Sequence, residues 1–317
     1  MNYINLPEKW NDWTLTEQTG QGSSGSVYLA LRRTGEVIEK SAIKIIHVSA
    51  ENDEKAALFS LFGRIDAAKK YAKELLQAHL TEIRIMETLK ENPHIVQIQD
   101  YDIQESPDHM SYTVFIKMEY LQTLEEHLGQ IYASYSNLPQ MPEDNNPPQM
   151  PEEYIDEIRA LGCDICDALD ACHKHNIIHR DIKPANIFWS EKDGYKLGDF
   201  DAACIKGEPL DTDTSTGTLL YMSPEIFKRE PFDHTSDLYS LGILMYKYLN
   251  NNLIPFITET DSSNIHQVRK AFELRMSGKE LPLPYYKGAI TSPVMTACRF
   301  CPDQRFQSAM IFKDALL

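Results

Sequence analysis

Basic residues are scarce in this sequence: 31 Lys and Arg stand against 47 Asp and Glu, a formal charge of −16. So acidic a chain meets a polyphosphate backbone with repulsion, which excludes nucleic acid as an expected partner. Long apolar runs are absent as well. Nowhere do about 18 consecutive apolar residues occur, and the opening MNYINLPEKWNDW has no basic stretch leading into an apolar one. Neither a membrane span nor an export signal is expected, and a cytoplasmic location follows. Cysteine is sparse, six in 317 residues, too few for the framework of a small secreted domain. Two pairs, Cys163-x-x-Cys166 and Cys298-x-x-Cys301, have zinc-like local spacing. The first lies in RALGCDICDALDACHKHN, where small and apolar residues recur at helical spacing, and the second precedes the turn at Arg305, so core thiols are expected for both. What is present is ample apolar material, 42% of the chain, enough to bury a substantial core in about two units.

Residues 13–44 alternate in character and break at glycines, which predicts short antiparallel strands. From about residue 51 to 90 the spacing turns helical, with Leu75, Leu76, Leu80, Ile83, Ile85, Met86 and Leu89 forming an apolar stripe closed by Asn92-Pro93. A long helix preceded by a shorter inserted one is expected. Strand character returns in HIVQIQDYDI and YTVFIKMEYL, and helical patterns then dominate to the C-terminus. This order predicts an α+β chain: a small lobe over residues 1–120 and a larger, mainly helical lobe over 121–317. Within 134–153, the proline- and acid-rich LPQMPEDNNPPQMPEE contains PQMPE twice and reads as an exposed insert loop.

Five short motifs carry chemistry. Gly20-Gln21-Gly22-Ser23-Ser24-Gly25-Ser26-Val27 lies between two strand patterns, where glycines let backbone amides approach phosphate oxygens; alone it equally describes a hairpin turn. Ala42-Ile43-Lys44 follows in the next strand, and a lone lysine there is ordinarily just solvated. His179-Arg180-Asp181-Ile182-Lys183-Pro184-Ala185-Asn186 sets a carboxylate, a cation and a carboxamide around a proline-stiffened turn, suited to gathering an alcohol, a phosphate oxygen and a metal ion. Gly198-Asp199-Phe200-Asp201 offers a carboxylate from a turn after a strand, a place for a divalent ion. The segment from Gly217 through Thr218 to Ser223-Pro224-Glu225 reads by itself only as a turn and a helix start.

In this order the five motifs resemble those of the protein kinases, over nearly the whole chain from about residue 13 to 317. The wording Tyr221-Met222-Ser223-Pro224-Glu225 is most similar to bacterial eukaryotic-like (Hanks-type) serine/threonine kinases. The resemblance implies the bilobal kinase fold, an antiparallel-sheet lobe with one long helix (the αC helix) and a mainly helical lobe. It implies ATP and Mg2+ as cofactors, with Mn2+ as a substitute, protein substrates, and transient homodimers for autophosphorylation. Carried over residue by residue, the backbone of Gly20, Gln21, Gly22, Ser23, Ser24 and Gly25 covers the ATP phosphates. Val27, Ala42 and Phe188 flank the nucleotide, and Lys44 grips its α- and β-phosphates, oriented by Glu82 in preference to Glu74 or Glu87. Met118 falls at the gatekeeper position, with Glu119 and Leu121 facing the adenine. Asp181 accepts or orients the substrate proton, Lys183 offsets the γ-phosphoryl charge, Asn186 and Asp199 hold magnesium, and Lys183 together with Thr218 favours Ser/Thr substrates. Asp237 is implied as the buried anchor of the catalytic turn, Glu225 as the partner of Arg305, and Met86, Ile98, His179 and Phe200 as a hydrophobic spine. One departure stands out: Asp201 occupies the place of the glycine in D-F-G. A nucleotide-binding pseudokinase scaffold is the alternative reading.

Overall fold

A computed structural model describes residues 4–22, 25–49, 65–107, 109–136, 150–205, 219–257 and 264–317. They pack as two compact units, Met1–Glu91 with Val96–Leu121, and Asn92–Ile95 with Gln122–Leu317.

The first unit is a five-stranded antiparallel sheet of β1 (Trp13–Gln21), β2 (Ser26–Thr34), β3 (Val37–Ser49), β4 (Ile98–Glu105) and β5 (Ser111–Glu119), in the order β1-β2-β3-β5-β4. Thr34 pairs with Val37 across a two-residue turn, where Gly35 at φ 63° supplies the left-handed residue that such hairpins need. Alternation along β3 sends Ile43 and Ile45 to one face and Lys44 and Ile46 to the other. On the first face Trp10 and Trp13 close over Ala30, Ile43, Ile45 and Phe115. Burying one aromatic of this size contributes on the order of 3 kcal/mol. The single turn Glu8–Trp10 is held there by Trp10 Nε1, which donates to Asp100 Oδ2 at 2.8 Å. The opposite face carries helix α1 (Ile65–Thr88), whose Ala68, Ala72, Leu76, Ile83 and Met86 are buried at helical spacing. The expected shorter helix before α1 lies outside the described residues.

One strand boundary differs from expectation. HIVQ does not join the sheet, because β4 begins only at Ile98 and the stretch Asn92–Ile95 packs in the second unit. There Leu197 N–H donates to His94 C=O at 2.8 Å and Asn92 Nδ2 donates to Asp167 C=O at 3.2 Å. Pro93 lacks the N–H that a ladder would require.

The second unit centres on α3 (Glu152–Lys174) and α5 (Thr235–Leu249), joined by α2 (Leu124–Ser136), α4 (Pro224–Lys228), α6 (Ile265–Met276), α7 (Thr291–Ala297) and α8 (Ala309–Leu316). Small sheets form from β6 (Gln122–Thr123), β8 (Ile187–Ser190) and β9 (Gly194–Leu197), and from β7 (Ile177–Ile178) with β10 (Cys204–Ile205). Helix α2 continues through Ser136, and α3 begins at Glu152 with two acids in its first turn, where the helix dipole favours them. The residues of the expected insert between these helices, 137–149, lie outside the described part. Cys163, Cys166, Cys172, Cys204 and Cys298 are buried, but Cys301 is exposed, contrary to the expected core thiol. Burial pushes Cys163 up and Cys298 to about 12, the reverse of a reactive thiolate. No described helix is long and apolar enough to cross a membrane.

Candidate functional site

In the first unit the candidate nucleotide residues lie along β1–β3. Gly20 and Gln21 end β1, Val27 is the second residue of β2, and Val27 pairs with Lys44. Ser23 and Ser24 lie outside the described residues. Of the three motif glycines only Gly25 is sterically demanded here: a Cβ would stand 2.4 Å from Ile45 O, whereas at Gly20 and Gly22 the nearest atoms are 3.6 and 3.7 Å away. Lys44 is 6% exposed, not the solvated surface group that a lone lysine would be. Its Nζ lies 2.9 Å from Oε1 of Glu82, itself 2% exposed. Glu74 pairs with Lys70 and Glu87 with Lys90, both on the surface of the same stretch. Ala42 pairs with Met118 and Ser41 with Glu119 across β3 and β5. The Glu119 N–H donates to Gln97 C=O at 3.1 Å, and its side-chain Oε1 accepts the Gln97 N–H at 2.8 Å. Leu121 closes this unit and is half-buried.

In the second unit the turn from His179 to Asn186 is fixed from beneath. Asp237, in the first turn of α5, is fully buried and accepts the N–H of His179 at 3.0 Å and of Arg180 at 2.8 Å. Its Oδ2 also faces His173 Nε2 at 3.0 Å. Burial pushes the Asp237 carboxyl up, but these bonds outweigh it and hold the group below the ordinary carboxylate range. The anchored turn keeps Arg180 at φ 64°, a left-handed conformation that costs a non-glycine residue on the order of 1 kcal/mol or more. Arg180 Nε donates to Ala202 C=O at 2.6 Å, and His179 Nε2 lies 3.1 Å from Gly198 O, which ties this turn to the one bearing Asp199. The rings of His179 and Phe200 meet edge to face at 4.8 Å. His173 was invisible as a functional candidate in the sequence, although it stands six residues before His179.

Asp181 is 9% exposed, and its two oxygens differ. Oδ2 accepts from Lys183 Nζ at 2.7 Å and from Asn186 Nδ2 at 2.9 Å, and the Asp181 carbonyl also accepts from Asn186 Nδ2 at 2.9 Å. Oδ1 is buried and has no hydrogen-bond partner among the described residues. With both contacts made through its nitrogen, Asn186 has its oxygen left for a ligand. Asp199 sits at φ 59°, whereas Asp201 is outside the left-handed region, so this conformation makes no use of a glycine's freedom at 201. Carboxylate oxygens of Asp199 and Asp201 lie within 4.8 Å of each other. Hard oxygen donors of this kind suit Mg2+. Phe188 is half-buried on β8, and Thr218 lies outside the described residues.

Farther along, Glu225 and Arg305 form a buried two-pronged ion pair, Nη1 to Oε1 at 2.7 Å and Nη2 to Oε2 at 2.8 Å. The rest of that guanidinium donates to the carbonyls of Arg299, Phe300 and Thr235, so every donor is used. Ser236, beside Asp237, donates to Glu225 at 2.7 Å. The first turn of α5 therefore holds both the 179–181 turn and the end of the segment at Glu225.

Residues 13–315 match the family model described as the protein kinase domain. Among curated relatives, serine/threonine-protein kinase 36 of Pongo abelii is 29% identical over 233 residues, 73% of this chain and 14% of that protein. Serine/threonine-protein kinase Nek2 of Homo sapiens is 30% identical over 254 residues, 76% of this chain and 47% of that protein. Serine/threonine-protein kinase PknB of Mycolicibacterium smegmatis is 35% identical over 158 residues, 49% of this chain and 25% of that protein. The chain spans less than half the length of each of these relatives. From residue 13 to 315, on the two units and turns described, the chain belongs to the protein kinase domain family.

Proposed function

We propose that this chain is a Mg-ATP-dependent protein serine/threonine kinase that transfers the γ-phosphoryl group to Ser or Thr hydroxyls of proteins, its own included. The observation that carries this reading is the asymmetry of Asp181: one oxygen is held by Lys183 and Asn186 while the other is buried and unclaimed among the described residues. A carboxylate so fixed is aimed at a donor that comes from outside, and a substrate hydroxyl fits it. Bound Mg-ATP supplies the phosphoryl group and the cation that offsets its charge. Lys44, held by Glu82, orients the α- and β-phosphates, and the amides of 20–25 cover them. Asp181 Oδ1 accepts the hydroxyl proton as the oxygen attacks phosphorus and the bond to the β-phosphate oxygen breaks. Lys183 offsets the charge of the transferred group, and Asn186 and Asp199 hold the cation, with Asp201 near enough to share it. The resemblance assigns Val27, Ala42, Met118 and Phe188 to the nucleotide, with backbone groups of Glu119 and Leu121 facing the adenine.

Two units divided near residue 121, with an insert between α2 and α3, make up this single kinase domain. The relation to PknB, a bacterial protein, supports the Hanks-type branch. Self-phosphorylation is expected at Thr212 or Thr214 through transient pairing of two copies, with Arg180 as the docking cation. Incubation with Mg-ATP followed by mass spectrometry is expected to place phosphate on Ser or Thr, including the 206–218 stretch. Nucleotide binding without any phosphate transfer to protein would instead favour a pseudokinase scaffold.

A further inference from the structure

Trp189, half-buried on β8, is covered by the ring of His127, the fourth residue of α2. The two rings stack with centroids 3.9 Å apart and planes 11° from parallel, while Tyr195 on β9 stands across the imidazole at 71°, 5.8 Å away. His127 is 9% exposed, and its Nε2 is buried with no hydrogen-bond partner among the described residues. The acid facing it, Glu157 on α3, keeps Oε2 3.6 Å from Nε2, beyond hydrogen-bond reach, and that oxygen already accepts the hydroxyl of Tyr195 at 2.6 Å. The other elements packed on the start of α2, namely β6, β8 and the single turn Pro184–Asn186, contain no ionisable side chain. On α2 itself, Glu125 is exposed and pairs with Lys247. Glu126 turns back to cap the helix, accepting from Thr123 N–H and Oγ1 at 3.0 and 2.8 Å.

A phenylalanine would stack on Trp189 as well and leave no orphaned nitrogen, so packing alone does not account for an imidazole here. What an imidazole adds is a proton taken up close to neutral pH. A cation at this place is disfavoured on three counts: it leaves water, its counter-ion is out of bonding reach and shared with a tyrosine, and it sits near the positive end of a helix dipole. Burial accordingly pushes the imidazole below its ordinary range, and Glu157 pulls it back only in part. The packed ring is neutral, and the packed arrangement loses stability as pH falls through the ordinary imidazole value of about 6.5. We propose that the His127–Trp189 stack is an acid-sensitive clasp: protonation of the ring releases the first turns of α2 from β8. The release reaches the strand ladder, because Gln122 pairs with Trp189, and Thr123, which caps α2, pairs with Phe188. Its consequence for nucleotide, through Phe188, rests on the kinase reading above; the clasp itself does not.

The test is amide hydrogen exchange of the native protein and of His127→Phe at about pH 7.5 and about pH 5.5, corrected for the intrinsic rate at each pH, with the buried helix α5 as internal reference. A ring that titrates normally once released and stays neutral when packed sets a ceiling of about tenfold on the change in opening between these conditions. Opening at 124–133 in the native protein is expected to rise in acid by about threefold to tenfold relative to α5, and His127→Phe is expected to show no rise. His127→Gln, which neither titrates nor stacks, serves if the Phe variant does not fold; its α2 is expected to be equally open at both pH values. Native protection that is unchanged in acid, or stronger because the ring closes on Glu157, would overturn the clasp, as would an equal rise in a variant. A fluorescent ATP analogue is expected to lose affinity in acid for the native protein more than for His127→Phe. Acid opening with equal losses in the two would overturn the link to Phe188. No analogue binding at either pH would count against the nucleotide reading, and exchange would still decide the clasp.

Discussion

Replacing Asp237 with Asn removes one charge and converts one acceptor oxygen to an amide nitrogen while keeping the size of the side chain. In the native arrangement Oδ1 serves Arg180 N–H at 2.8 Å, and Oδ2 serves His179 N–H and His173 Nε2, each at 3.0 Å. The variant can satisfy Arg180 through its remaining oxygen, and His173 can change tautomer to accept from the new amide. The buried N–H of His179 then faces a donor. An orphaned buried N–H costs about 1–3 kcal/mol, and the loss of charge assistance in the remaining bonds adds to it, for about 2–4 kcal/mol in all. Arg180 at φ 64° loses part of what holds it, so the catalytic turn relaxes and transfer falls even in the folded fraction. The acid limb gives a second reading of the same bonds. The folded carboxyl titrates below its ordinary value, so its contribution is complete above about pH 4 and fades as pH falls through the folded value. Urea unfolding at pH 7 is therefore expected to separate the two proteins clearly, with the gap narrowing in acid because only the native residue titrates. A variant as stable as the native protein at pH 7, or a gap that widens in acid, would show that Asp237 does not anchor this turn.

Lys44→Met is expected to abolish transfer and also to destabilise by about 3 kcal/mol, because Glu82 would be left buried without its cation; Lys44→Met with Glu82→Gln is expected to regain stability by denaturant titration but no activity. Gly25→Ala, whose Cβ meets Ile45 O, is expected to weaken ATP binding about tenfold in a fluorescent-nucleotide titration, with Gly22→Ala changing it far less. Asp201→Gly is expected to keep transfer within about tenfold at saturating magnesium, since residue 201 is not left-handed, while raising the half-saturating magnesium about threefold or more in a titration at fixed ATP.

The motifs were legible because each packs its chemistry into consecutive residues. The Asp181 and Asp199 turns could be singled out from their own residues, whereas the pairing of Glu225 with Arg305 and the preference for Glu82 over Glu74 and Glu87 opposite Lys44 came from the resemblance to the kinases. What the sequence withheld depends on distant residues. Lys44 reads as exposed until α1 brings Glu82 under it, and HIVQ reads as strand until Leu197 draws His94 and Ile95 away. Cys301 shares its spacing with a buried partner and is nonetheless exposed, because a short 3-10 turn begins just after it. Arg275 gave no signal at all: its partners are backbone carbonyls some 50 residues earlier, and carbonyls carry no residue identity.

The assignment of phosphoryl transfer to this chain is met most directly by the initial rate of label transfer from γ-labelled ATP to a basic protein, native against Asp181→Asn at saturating magnesium. Native transfer with a loss of about 100-fold or more in the variant, whose fold and ATP binding are retained, is the expected result. Transfer at the native rate by Asp181→Asn, or none by the native protein under conditions where it binds Mg-ATP, would contradict it.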